Sequence, residues 1–513
     1  MKRHIMLPAF LAIIAPACNE DKGNYVYHDI NEITISSIAA SYNAMQDVDT
    51  LKIDPVVEMT DGEVSDTSRF RYTWLAVVAY QTKDTLGKER VLSYPVKLAP
   101  ATYQLCLKVW DRQTDVTWKF LSSLTVGNVY AKGILLVGEN EQGNVSMQML
   151  SMVNDTLLSP DMLEDCGLPS LQGPVNVLHT GYTSADNRIK LWVMTRSGSY
   201  FFDRMTHKSA PENRFNSLVF STDSLPGDLN PVEIAPRIKD KAGNSGGNSY
   251  RAVVCSNGYL FNSVLMLVGG DYYANPVNRT AADMTTLLRA KPFLMYALNS
   301  WSGFVWYDGD NERFMRVNSF DAVSTPLEDQ GDNTFPWDQR ATNRTLVYAE
   351  NTRNTDGGST NGNSFALLKD ENNAFFIYKF YVGTSVGKRA AYTVSPVATD
   401  FGRAKFYAFS SNRTLLFYVV DRDLYVYDYN PGNERCVKLP GFGIDEITML
   451  KFDTQIDPAD NPLYIATYNA SAKGTLQRYA VGTNPDQIEI FPDEKSRWSG
   501  LSKIANMSWR AAR

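Results

Sequence analysis

The feature that most limits what this chain can fold into is a hairpin pattern that returns along most of its length. Each copy has a short apolar strand, a polar turn with Gly, Asn or Asp, and a second strand rich in aromatic residues. The clearest copies are Leu191–Met194 with Tyr200–Asp203, Ala252–Cys255 with Tyr259–Phe261, and Leu415–Val420 with Leu424–Asp428. Their turns are Arg196-Ser197-Gly198, Asn257-Gly258 and Asp421-Arg422-Asp423. Asn-Gly between apolar runs specifies a hairpin because both residues tolerate positive φ. Fainter copies complete a series of seven ends at Leu150, Asp203, Asn262, Asp308, Lys379, Asp428 and Ala480, roughly 55 residues apart. Several strands per unit at such a period read as a β-propeller, with seven blades favoured over six or eight, across 129–513. Two Gly/Asn-rich stretches, Asn351–Asn363 and Lys239–Ser249, read as flexible loop insertions.

The first residues read as a targeting signal. Lys2, Arg3 and His4 precede an apolar stretch from Ile5 to Ala17. That is shorter than the roughly 20 residues of a membrane-spanning helix, so residues 1–17 are expected to be a signal peptide. Small residues Ala15 and Ala17 flank Pro16 just before Cys18. This resembles the lipobox of bacterial lipoproteins, in which the cysteine is lipidated and becomes the first residue. The resemblance implies a lipid anchor at Cys18, a tether over 18–23 and attachment to the outer membrane, facing the exterior. Asn19, Glu20 and Asp21 resemble the surface-export signal of Bacteroidetes lipoproteins.

Composition narrows the function. A net charge of −6 over 513 residues offers no basic footprint for nucleic acid. An aromatic share of 12% favours β structure. Four histidines, one of them in the targeting segment, argue against a multi-histidine metal centre. Cys106, Cys166, Cys255 and Cys436 show no metal-ligand spacing; they read as buried small residues, and disulfide pairing among them stays open. No metal or cofactor is expected.

Residues 24–128 read as a separate β-sandwich. Tyr103, Leu105, Leu107 and Val109 alternate onto one face, as do Val116, Trp118 and Phe120, and Tyr72-Thr73-Trp74 reads as a central strand with a core tryptophan. The run from Asp21 through Gly23-Asn24-Tyr25 to Ile30-Asn31-Glu32 resembles the opening of the Bacteroidetes PKD-like lipoprotein family. Thr102–Asp111 resembles the penultimate strand of an immunoglobulin-like PKD domain. The endings Phe-Phe-Asp, Trp-Tyr-Asp and Val-Tyr-Asp are loosely kelch-like. The PKD-like resemblance implies an accessory outer-membrane lipoprotein beside a TonB-dependent transporter and its Sus-type binding lipoprotein, handling a glycan or peptide. Asp49-Thr50, Asp84-Thr85, Asp155-Thr156 and Asp223-Ser224, each followed by Leu, resemble the O-glycosylation motif of Bacteroidetes exported proteins.

Catalytic motifs are missing. There is no sialidase Asp-box, no Gly-x-Ser-x-Gly elbow, no His-Glu-x-x-His and no P-loop. Asp308, Asp310 and Glu312 cluster, as do Asp421, Asp423 and Asp428, but acidic residues in turns chiefly serve turn chemistry. Aromatics in loop-like segments are the better lead. Asp271-Tyr272-Tyr273-Ala274-Asn275-Pro276 and Phe335-Pro336-Trp337-Asp338 read as exposed, and Trp301 precedes a turn at Ser302-Gly303. Tyr272, Tyr273, Trp301 and Trp337 are therefore the candidate ligand-binding residues, although aromatics of this kind also pack between blades. The expectation is a non-catalytic binding or assembly subunit. A glycan-degrading enzyme and a purely structural scaffold are the alternatives.

Overall fold

The computed structural model describes residues 32–60, 68–78, 81–153, 156–180, 191–204, 206–235, 250–264, 271–298, 303–318 and 320–510. Cys18, the signal and tether segments, Trp301 and the Lys239–Ser249 stretch lie outside them. The chain divides into two compact units, Met1–Gly127 and Asn128–Arg513.

In the first unit a five-stranded sheet carries the long strands Phe70–Val78, Ala101–Asp111 and Thr117–Gly127 at its centre. Two small ribbons, Ile33–Ser36 with Val56–Met59 and Thr50–Ile53 with Leu92–Pro95, close the other side of the core. Trp74 is 1% exposed at its centre, and its indole N–H donates to the Glu89 carbonyl at 3.1 Å. Tyr103, Leu105, Leu107 and Val109 all enter this one core, the consequence of two-residue alternation along a strand. Trp118 and Phe120 lie opposite Val109 and Leu107 and extend the same face.

Among the described residues the second unit holds seven antiparallel sheets, following one another along the chain. Seven apolar clusters join them pairwise: first to second, second to third, and so on to seventh to first. The ring is therefore closed, a seven-bladed propeller. Closure is staggered in sequence. The last strand, Lys503–Arg510, is the inner strand of the first blade and pairs with Gly133–Glu139.

The apolar runs are continuous because each such strand is covered on both faces. Along Leu415–Val420, Leu415, Phe417 and Val419 pack toward the seventh blade, while Leu416, Tyr418 and Val420 pack toward the fifth. The same division holds for Leu463–Ala466 and Leu191–Met194. Burying both faces removes polar residues from either one, so the pattern reads as an apolar block.

Two expectations are corrected. Asp308 ends the first strand of its hairpin, Gly303–Asp308, and the second, Arg313–Asn318, carries that copy on to Asn318. The stretch after Asn351 is not a flexible insertion. Thr352, Ser359 and Asn363 are at most 1% exposed, and Asn363 Nδ2 donates to Asn354 Oδ1 at 2.8 Å. Gly362 sits at φ +95, where a Cβ would meet the Thr352 carbonyl at 1.9 Å. Glycine is needed there for a tight fold, not for mobility. Cys106, Cys166, Cys255 and Cys436 are all free thiols.

Candidate functional site

The inner strands have a shared local device. In the first blade the register slips at Ala505, in the second at Val175, in the third at Val232, in the fifth at Val347 and in the seventh at Thr448. Each is a β-bulge, which leaves the extra residue's backbone groups outside the ladder and re-aims the next side chain. Asn506 and Asn176 follow two of these bulges. The Asn506 amide donates to the Val175 carbonyl at 3.3 Å, and the Asn176 amide to the Val232 carbonyl at 3.4 Å. Each thus reaches the bulged residue of the next blade. Glu233, after the third bulge, accepts from Asn176 Nδ2 at 3.0 Å.

Other inner strands are stitched similarly. Asn351 accepts from the Tyr296 N–H at 2.9 Å and donates to the Leu294 carbonyl at 2.8 Å. Glu350 accepts from the Phe409 N–H at 2.8 Å and the Tyr348 hydroxyl at 3.2 Å. Lys451 donates to Asn506 Oδ1 at 2.9 Å and the Met507 carbonyl at 2.6 Å. Polar contacts thus join neighbouring inner strands around much of the ring.

Inside it lies a cavity of about 540 Å³, within the range of small-ligand sites. Its wall mixes aromatic and polar side chains. Blades four to six supply aromatics: Phe293 meets Tyr348 edge-on at 5.8 Å, and Tyr348 meets Tyr407 at 5.7 Å. Burial pushes the Tyr407 phenol up to about 12, so it stays protonated. Blades seven, one and three supply Lys451, Asn506 and Glu233. Glu350 and Lys405 complete a balanced set of two carboxylates and two ammonium groups.

The residues singled out in sequence fall elsewhere. Tyr272 is 36% exposed and meets exposed Phe220 at 5.6 Å, a small surface pair. Tyr273 and Trp337 correct the expectation of exposure. Tyr273 is 3% exposed because its backbone pairs with Leu218 and Phe220, which turns alternate side chains inward; its ring lies 4.8 Å from Phe215. Trp337 is 4% exposed, wedged edge-on against Phe314 and Phe380 between the fourth and fifth blades.

The acidic clusters serve turns. Asp308 accepts from the N–H groups of Asp310 and Asn311 and from Arg313 Nε. Asp310 accepts from the Arg289 N–H, and Asp428 from the Thr414 hydroxyl and the Asn430 N–H. Asp421 and Asp423 pair with Arg403 and Lys438. Among the described residues no three His, Cys, Asp or Glu side chains gather in a way that could hold a metal ion.

Fold and cavity define an all-β protein of two units, a sandwich followed by a seven-bladed propeller with a ligand-sized axial cavity. Residues 18–166, which take in the sandwich and the opening strands of the first blade, match the PKD-like family. No curated protein matches the sequence. Among solved structures the chain is similar to a quinonprotein alcohol dehydrogenase-like protein from Bacteroides thetaiotaomicron, at 12% identity and a TM-score of 0.38, covering 94% of this chain and 100% of that one. It is also similar to a DUF4784 family protein from Bacteroides caccae (10% identity, TM-score 0.31, 80% and 95% covered). A third is YCF48 from Cyanidioschyzon merolae (12%, 0.36, 65% and 89%).

Proposed function

We propose that this chain is a lipid-anchored protein of the bacterial outer membrane that binds ligand in the axial cavity without transforming it. It would serve a TonB-dependent transporter and its Sus-type lipoprotein as an accessory subunit for glycan or peptide uptake. The anchor and partners rest on the lipobox-like Cys18 and the PKD-like match. The observation that carries binding over catalysis is the state of the cavity's carboxylates. Glu233 and Glu350 are each tied to a neighbouring inner strand, as parts of the contacts that hold the ring. Cys18→Ala tests the anchor: the protein should leave the membrane fraction and lose its exposure to protease on intact cells. Retention in the membrane would refute it.

One observation favours a second reading. Both carboxylates line the same cavity, and glycosidases act through a carboxyl pair. Glu233→Gln or Glu350→Gln would then abolish release of sugar from a polysaccharide, whereas a binding protein releases none to begin with.

A further inference from the structure

We infer that the axial cavity takes the end of an uncharged glycan chain, entered terminus-first from one rim; this rests on the cavity being the ligand site. The wall chemistry points to the class. A sugar ring presents an apolar C–H face and a rim of hydroxyls. The half-buried rings of Phe293 and Tyr348, which line the cavity, offer surfaces for the face. Glu233, Asn506 and Lys451 offer acceptors and donors for the rim. A hydroxyl both donates and accepts, so it can join such groups without displacing the bonds that position them. Two carboxylates balanced by two ammonium groups leave no net charge to select an ionic ligand.

The strand directions point to the end. The inner strands of blades four to seven run the same way. Pro292, Val347 and Lys405 stand exposed where these strands begin, with Val347 37% exposed. Leu298 and Thr454 line the cavity where the strands finish. There the loop after Asn351 bonds to both. Asn361 accepts from the Leu298 N–H at 2.9 Å, and the Arg353 guanidinium donates to the Thr454 carbonyl at 2.7 and 3.2 Å. One loop of the fifth blade thus spans from the fourth to the seventh. A chain passing through the ring would collide with this brace, while a chain end meets it as a floor.

The test uses the mature, detergent-solubilised protein and a panel of neutral linear oligosaccharides, with an end-less cyclic glucan and unstructured peptides beside them. Linear sugars should bind. Tyr348→Ala and Phe293→Ala should each weaken binding by roughly tenfold, in line with the loss of aromatic contacts. Val347→Trp, an exposed change at the rim that leaves the core untouched, should block it. Phe220→Ala, on the surface pair, should leave it unchanged. Sugar binding indifferent to the three cavity variants would overturn the assignment to this cavity. Equal binding of the cyclic glucan would overturn terminus-first capture. Binding of peptides alone would overturn the glycan class. None of these results bears on the Cys18 anchor or partner capture, so the two proposals fail separately.

Discussion

Ile134 and Trp509 are cross-strand partners, one at the start of the propeller and the other in its last strand, and both are buried in the cluster between the seventh and first blades. The ring therefore closes by a non-covalent pairing of its two ends. Trp509→Ala removes a side chain that is 1% exposed and should cost roughly 3–5 kcal/mol. Thermal unfolding should show the propeller transition falling sharply while the sandwich transition stays in place. A single shared transition, shifted as one, would contradict two separately built cores.

His207 should make propeller stability depend on acid. Its ring is buried, with Tyr130 edge-on at 4.3 Å, and accepts from the buried Arg510 guanidinium at 3.1 Å. Burial first, and the Arg510 charge second, hold its pKa down to about 3. The unfolded chain takes up this proton below about pH 6.5, but the folded ring refuses it until about pH 3. The stability contributed by the neutral ring is thus complete above about pH 6.5 and is lost as pH falls toward 3. His207→Asn, which tolerates the positive φ of 55° there, should lower the melting temperature near neutral pH. It should also flatten the decline between about pH 7 and pH 4.5. An unchanged decline would place the acid sensitivity elsewhere.

In the sandwich, Asp111 and Arg69 form a two-point pair at 2.6 and 2.9 Å, with the aspartate side chain 2% exposed. The Arg69 guanidinium holds the carboxyl down at about 2. Its stabilising effect is present above the ordinary carboxylate range and is lost as pH falls through about 2. Asp111→Asn removes the charged partner of a largely buried guanidinium, and a cost of roughly 3 kcal/mol is expected. Hydrogen exchange should show loosening confined to residues before Asn128.

The acidic turns give a prediction of opposite kind. Asp308→Ala removes an acceptor from two backbone N–H groups and Arg313, and should cost roughly 2 kcal/mol of propeller stability. Ligand binding measured below the melting transition should be unaltered. Lost binding in the folded variant would return these carboxylates to the list of functional residues.

What was legible in the sequence follows from burial. Strands covered on both faces, such as Leu415–Val420, appear as apolar blocks and were visible, as was the count of seven. The inner strands were not, because bulges and polar contact residues break every simple period. A signal was nonetheless present: Pro174-Val175-Asn176-Val177 and Pro231-Val232-Glu233-Ile234 repeat the same bulge-and-reach arrangement. Tyr273 and Trp337 were misplaced because polar and proline-rich neighbours look like surface loop, while here these loops wedge their aromatics between blades. The Asn351–Asn363 stretch looked flexible because its order comes from contacts with Leu298, Ser411 and Thr454, none of them near in sequence.

The most direct test of an accessory uptake subunit is to recover the tagged, full-length protein from detergent-solubilised outer membranes and identify by mass spectrometry what accompanies it. A TonB-dependent transporter should be recovered together with its binding lipoprotein, and equally well with Asp308→Ala. Recovery of the protein alone, from membranes in which such a transporter is present, would contradict that role.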